Sequence, residues 1–106
     1  MRPDPAIGDF LAAMNQTFLI CPEGLDPVPA ELVEVADLGQ RPMSPEGSGE
    51  RSFSLVFLLP LLGPKGTAYL PQRTYRVEHD GIGALDIFLV PLGILNGKMK
   101  YEAIFN

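Results

Sequence analysis

The sequence predicts an all-β domain of about six antiparallel strands, with one short N-terminal helix and a three-strand meander at its end. Three segments near the end of the chain alternate with a period of two, which puts one set of side chains on a buried face. These segments are 74–79, 84–90 and 98–105. The dipeptides Asp80-Gly81 and Asn96-Gly97 separate them and tolerate the positive φ of hairpin corners. A partly closed small barrel or a sandwich is expected, because either leaves few open sheet edges.

The composition fits one domain that spans residues 1–106, with a helix at 4–14 and a β-sheet core at 17–105. With 46% hydrophobic and 20% charged residues, the chain can bury a core without disulfides or metal. Its one cysteine, Cys21, cannot form an internal disulfide. The reducing cytoplasm is therefore the expected location.

The sequence does not indicate a membrane segment or a targeting segment. Residues 1–8 contain two prolines and an aspartate where a signal peptide needs a basic start and an apolar run. The most apolar stretch, 53–63, is shorter than the roughly 20 residues of a membrane helix, and Pro60 interrupts it. No membrane partner is expected.

The net charge of −5 is divided unevenly along the chain. Residues 1–50 carry two basic and nine acidic side chains, whereas residues 51–106 carry six basic and four acidic ones. The simplest interpretation is that an acidic strand of the first half lies beside basic strands of the second. No basic stripe is available to neutralise phosphates, so a nucleic-acid partner is not expected.

The N-terminal helix is predicted from a capping residue and an apolar stripe. Asp4 precedes Pro5, which places an N-cap carboxylate before a proline at the first helical position. The stripe consists of side chains at offsets of 0, 3, 4 and 7, namely Ile7, Phe10, Leu11 and Met14. A helix this short is marginal alone, so it should pack on the sheet and cover an open end of it.

The next segment, 17–21 (TFLIC), is rich in strand-forming residues and lacks alternation. That pattern is typical of a strand covered on both faces. Cys21 is expected to be a small buried hydrophobe, because no basic neighbour in the sequence would activate its thiol. Pro22 ends the strand, and residues 22–29 are predicted to form a turn.

The segment 30–38 (AELVEVADL) fits a helix or a strand by composition. Its acidic residues would share a helical face, or they would lie along a strand with a bulge between Leu32 and Val33. These residues are Glu31, Glu34 and Asp37. We favour a strand, because Pro29 precedes the segment, Gly39 follows it, and it contains two β-branched valines.

The strongest single strand is predicted at 52–59. One face carries Phe53, Leu55, Phe57 and Leu59. The other face begins polar and ends apolar, so its far end should be covered by another part of the chain. The connection 39–51, with two prolines and three glycines, is predicted to be a mobile surface loop.

The second long connection, 60–72, carries more apolar side chains than a solvated loop usually does. They either fold back on the core or form a contact surface for a partner. The candidate contact residues are Leu61, Leu62, Tyr69 and Leu70.

His79 and Asp80 form the one histidine–carboxylate pair in the sequence. Adjacent strand residues point to opposite faces, and Asp80 is explained as the first residue of an Asp-Gly turn. The acidic residues of 30–38 do not match a calcium loop and are interpreted as a solvated face. The sequence therefore predicts no catalytic, cofactor-binding or metal-binding residues.

Four motifs stand out along the chain, namely ELVEV at 31–35, TYRVEH at 74–79, IFLVP at 87–91 and YEAIFN at 101–106. They resemble the motifs of a family of small bacterial domains of unknown function. The resemblance covers nearly the whole chain from Phe10 onward. It implies no enzyme and no cofactor. Members of the family are associated with proteins that resemble phage tail-collar or tail-fibre components, which implies an accessory role in such an assembly.

Three functional hypotheses follow. The favoured one is a non-catalytic interaction module that binds a protein partner or itself, with a homodimer as one form. The alternative is a barrel that binds a small apolar ligand among Phe53, Phe57, Tyr75, Phe88 and Tyr101, although six short strands usually fill their own interior. A His79-dependent enzyme is the least favoured hypothesis.

Overall fold

The computed structural model of the chain describes residues 5–40, 51–62, 66 and 68–105. One helix and six strands follow one another in the described residues. They are α1 (Ile7–Ala12), β1 (Thr17–Cys21), β2 (Val28–Gln40), β3 (Arg51–Pro60), β4 (Arg73–His79), β5 (Gly83–Leu95) and β6 (Lys98–Phe105). The predicted all-β class with one short helix is therefore confirmed.

The six strands form one antiparallel sheet that closes on itself. Each strand pairs with two neighbours in the order β1, β2, β3, β6, β5, β4, and β4 pairs back with β1. The predicted meander β4, β5, β6 is confirmed, and β1, β2, β3 form a second one. The β3–β6 and β1–β4 ladders join the two meanders.

The long strands β2 and β5 each change partner along their length. β2 pairs with β1 up to Glu31 and with β3 from Glu31 onward, with a bulge between Leu32 and Glu34. The strand interpretation of 30–38 and its bulge are thus confirmed, while β2 already begins at Val28 inside the predicted turn. The predicted loop 39–51 contributes its ends to β2 and β3, and residues 41–50 lie outside the described residues.

β5 is longer than the predicted strand, which ended at residue 90. It continues through Pro91 to Leu95, with a bulge of its own between Pro91 and Gly93. The bulge lets the strand accommodate a proline and a glycine that would otherwise interrupt a regular ladder. A two-residue turn follows, in which Asn96 and Gly97 both have positive φ, of 52° and 78°. These angles match the hairpin turn expected from the dipeptide.

The helix is shorter than predicted and has a different cap. It begins at Ile7, and the Ala6 N–H donates to the Asp9 carboxylate at 2.8 Å. The predicted cap, Asp4, lies outside the described residues. Phe10 is fully buried, whereas Leu11 is half exposed, so the predicted apolar stripe was wrong at Leu11. A helix of 6 residues buries a narrower face than the predicted four-residue apolar stripe requires.

The core lies inside the ring of strands and is rich in aromatic residues. Phe10 reaches it from the helix, and its ring centroid is 6.4 Å from Phe18, 5.7 Å from Phe53 and 5.4 Å from Phe105. The inner face predicted for β3 is buried as expected, and Val56 on its other face is covered too. The helix thus contributes to the core of the sheet, as its short length required.

β1 is buried on one face only, which corrects the prediction of a strand covered on both faces. Phe18 and Ile20 point inward, whereas Leu19 is exposed. Cys21, expected to be buried, is only partly so. An outward face of β-forming residues cannot be distinguished from a second buried face by composition alone.

Candidate functional site

His79 is held by internal hydrogen bonds on both ring nitrogens. Nδ1 accepts from the backbone N–H groups of Gly81 and Ile82, each at 3.1 Å. Nε2 lies 2.7 Å from the Gln16 side-chain oxygen. Because Nδ1 is an acceptor, Nε2 carries the hydrogen and donates it to Gln16. The ring also stacks on Phe18 at 4.4 Å between centroids.

These bonds make His79 a support for the β4–β5 loop. The residue borders an open groove of about 820 Å³ on the outside of β1 and β4, with Gln16, Glu78 and Asp80 among its lining. Asp80 is exposed in the turn that follows β4 and lines the same groove. Both ring nitrogens are engaged, so neither can abstract a substrate proton without giving up an internal bond.

Replacing His79 with alanine is expected to lower the free energy of unfolding by about 1–2 kcal/mol. The Gly81 and Ile82 N–H groups would lose their acceptor, and Phe18 would lose a stacked ring. Urea denaturation would measure the loss. The matched control is Asp80→Asn, which removes the carboxylate next to His79 in the sequence and should leave the free energy of unfolding unchanged. A His79→Ala chain as stable as the control would contradict the structural role.

The interior of the sheet is occupied by its own side chains. Phe53, Phe57, Tyr75 and Tyr101 are buried, and the Phe57 ring meets Phe18 edge-on at 5.3 Å. The fifth residue predicted to line a ligand cavity, Phe88, is half exposed on the outer surface instead. This packing disfavours the hypothesis of a barrel that binds a small apolar ligand.

The connection between β3 and β4 is tied to the barrel by two tyrosines. The Tyr101 hydroxyl donates to the Leu70 carbonyl and the Tyr75 hydroxyl to the Pro71 carbonyl, both at 2.6 Å. Burial raises the pKa of Tyr101 to about 12. It also raises the pKa of Tyr75, against a smaller opposing effect of Arg73. These bonds fix the end of the connection against the core.

The four candidate contact residues in this connection have different environments. Leu70 belongs to the core, which corrects its assignment to a contact surface. Its carbonyl accepts the hydrogen bond from the Tyr101 hydroxyl. Leu61 and Leu62 are partly buried against the core, and Leu62 pairs with Ala68 through two backbone hydrogen bonds. Tyr69 is 51% exposed and is the one of the four that presents most of its side chain to solvent.

A cluster of exposed apolar side chains lies at the end of the β5–β6 hairpin. Leu92, Ile94 and Leu95 are 48%, 64% and 44% exposed. We call residues 92–100 the β5–β6 arm. The β4–β5 ladder ends at Leu89, so the β5 side of the arm pairs with β6 alone. The Asn96-Gly97 turn in the sequence signalled this arm, because a two-residue hairpin requires paired strands on both sides of it.

The charges around the barrel are segregated. Residues 87–101 include Lys98 and Lys100 and no acidic residue. Residues 22–40, which we call the acidic ribbon, include five acidic residues and no basic one. β2 lies beside β3, a strand of the second half whose one charged residue is Arg51, whereas β4 and β6 are not its partners. In the second half of the chain, on β4, Arg76 forms an ion pair with Glu78 at 2.8 Å.

The part of the chain that the structure describes contains neither a metal-binding cluster nor a membrane-spanning helix. No group of three or more histidine, cysteine, aspartate or glutamate side chains is arranged there to hold a metal ion. None of the described residues form a helix with the length and apolar character needed to cross a membrane.

The fold and its surface define a class, a small antiparallel β-domain with a packed aromatic core and an apolar hairpin arm. A family model described as "Domain of unknown function (DUF6916)" matches residues 5–105. The chain belongs to this family, in agreement with the resemblance of its motifs to a family of small domains of unknown function. Neither the curated proteins nor the solved structures gave a match.

Proposed function

We propose that this chain is a non-catalytic protein-interaction module that binds its partner through the β5–β6 arm. The observation that supports the proposal most strongly is the exposure of Leu92, Ile94 and Leu95 at the end of one hairpin. Three aliphatic side chains within four residues cost free energy in water, and a protein partner would bury them. Single exposed apolar residues are common elsewhere on protein surfaces, but such a cluster is a feature of interfaces.

The shape of the arm also supports binding of a protein. Among the described residues no strand pairs with the β4 side of β5 beyond Leu89, so this edge of the arm can receive a strand or a loop of a partner. Pro91 and the bulge before Gly93 interrupt regular pairing at this edge and limit uncontrolled strand addition. Side-chain contacts of the arm would therefore contribute much of the binding free energy.

In this proposal the module is one component of a larger protein assembly. The motifs that resemble the bacterial family support an accessory role in a phage-tail-like structure. The proposed location is the bacterial cytoplasm, which suits a chain with one free cysteine and no need for a disulfide. In this role the domain contributes binding surfaces. His79 has a structural role, because its ring nitrogens support the β4–β5 loop.

Replacing Ile94 with serine is expected to weaken partner binding at least about tenfold, which corresponds to about 1.4 kcal/mol. Ile94 is the most exposed aliphatic residue of the arm, so its truncation removes contact area without disturbing the core. The tagged chain would be used to capture proteins from its host, and binding of the captured protein would be measured by calorimetry.

The matched control is Leu19→Ser, which truncates an aliphatic side chain that is 42% exposed on β1. The control should bind as the unchanged chain does. Equal binding by the Ile94→Ser chain, or equal losses in both variants, would contradict the assignment of binding to the arm.

A further inference from the structure

We propose that protonation of His79 releases the β4–β5 loop, residues 80–82, so that the fold responds to mild acid. Histidine is the side chain whose charge ordinarily changes between pH 5 and 8, and His79 is the one histidine of the chain. The response is separate from binding by the β5–β6 arm. His79 pairs with Gly83 at the start of β5, whereas the arm lies at the end of that strand.

His79 holds three separate parts of the chain together. Its Nδ1 atom accepts the backbone N–H groups of Gly81 and Ile82, which are two of the three residues of the loop. Its Nε2 atom bonds to Gln16, which lies between α1 and β1, and its ring stacks on Phe18 of β1. One partly buried ring therefore fixes the loop against β1 and the segment that follows the helix.

The loop can be held in this way only by a neutral ring. A neutral imidazole has one nitrogen that donates and one that accepts, whereas the charged ring donates from both and accepts from neither. Protonation adds a hydrogen from solvent to Nδ1 and changes no other covalent bond. The new N–H would face the N–H groups of Gly81 and Ile82, now 3.1 Å from Nδ1, so both bonds would be lost.

The charged groups that face the ring come from α1, β4 and the loop itself. On β4 and in the loop they are Arg76, Glu78 and Asp80, which line the open groove beside the ring. On the α1 side, Asp9 lines a smaller pocket of about 280 Å³ that the ring also borders. β1 and β5 contribute uncharged residues to these pockets. Arg76 forms an ion pair with Glu78, so its positive charge is compensated.

A charged ring would move towards the groove and away from the loop N–H groups. The carboxylates of Glu78 and Asp80 attract an imidazolium, whereas the positive ends of the backbone N–H dipoles repel it. Ile82 is 8% exposed and belongs to the core, so release of the loop would uncover its side chain. The pocket between the loop and α1 would open at the same time.

Amide hydrogen exchange of the full chain tests this inference. Protection factors, which correct for the intrinsic effect of pH on exchange, should fall at least about tenfold for Gly81 and Ile82 between pH 8 and pH 5. Leu55, in the middle of β3, should keep its protection, which separates release of the loop from unfolding of the domain. The ring-nitrogen NMR signals of His79 should titrate together with the loss of protection.

The matched variant is His79→Asn. The asparagine side-chain oxygen can accept the N–H groups two and three residues further on, as Nδ1 does, and it does not titrate. This variant should hold the loop equally well at pH 8 and pH 5. Asp80→Asn keeps the ring and should still release the loop in acid. Circular dichroism would establish that each variant is folded.

Three results would overturn the inference. The first is a loop that keeps its protection at pH 5 in the unchanged chain, whatever the charge of the ring. The second is an equal loss of protection in His79→Asn, which would assign the response to another group. The third is an equal loss at Leu55, which would indicate acid unfolding of the whole domain. None of these results bears on the proposed function, because Ile94→Ser is compared with its control at neutral pH.

Discussion

Replacing Phe10 with alanine is expected to lower the free energy of unfolding by about 3–5 kcal/mol. Phe10 is fully buried, and it contacts the rings of Phe18, Phe53 and Phe105 from the helix side. Its removal would leave a cavity among rigid aromatic neighbours and release a helix that is too short to be stable alone. For a domain whose total stability is about 5–15 kcal/mol, such a loss is a large fraction.

Urea denaturation of Phe10→Ala and of Leu11→Ala would test this expectation. Leu11 lies next to Phe10 on the same helix and is half exposed, so its truncation should cost less than about 1 kcal/mol. Both variants place an alanine on the same helix, so helix propensity is nearly the same in the two chains. They differ mainly in how much of the removed side chain was buried. Equal losses for the two variants would mean that the helix does not close the core.

Replacing Tyr101 with phenylalanine is expected to lower the free energy of unfolding by about 1–3 kcal/mol near neutral pH. The substitution keeps the buried ring but leaves the Leu70 carbonyl without its hydroxyl donor, 31 residues away in the sequence. It would therefore loosen the connection between β3 and β4. The matched control is Tyr69→Phe, which removes a hydroxyl from an exposed ring and should have little effect.

The same tyrosine predicts a dependence of stability on alkaline pH. Burial raises the pKa of Tyr101 from 10.0 to about 12 in the folded chain. The unfolded chain therefore loses this proton first, and the stability linked to it is complete below pH 10 and is lost as the pH rises towards 12. The decline between these values should be smaller in Tyr101→Phe. A decline of the same size in both chains would contradict this role for Tyr101.

The sequence allowed much of the sheet to be predicted because local signals determined it. The alternation at 98–105, the Asn96-Gly97 turn and the bulge after Leu32 all depend on neighbours within a few residues. The outward side of β1 at Leu19 and the exposure of Leu11 were missed. Both depend on which faces the closed ring covers, and that is decided by strands far apart in the sequence.

The candidate site was harder to predict than the fold. The apolar side chains of 60–72 fitted either packing on the core or a contact surface. Leu70 lies in the core and its carbonyl accepts the Tyr101 hydroxyl, and no local pattern reveals that bond. The arm was missed because the predicted strand, 84–90, stops before Pro91. A bulge at the following residues carries the strand past the proline. The segregation of charge was visible in the sequence, but the position of β2 away from β6 required the strand order.

Protein binding by the β5–β6 arm can be located by placing a photo-crosslinking side chain at position 94 of the full chain and, as the comparison, at position 19. After irradiation under conditions of association, mass spectrometry would identify the products. Position 94 is expected to become joined to another protein chain, and position 19 is not. Products from position 19 and none from position 94 would contradict binding by the arm.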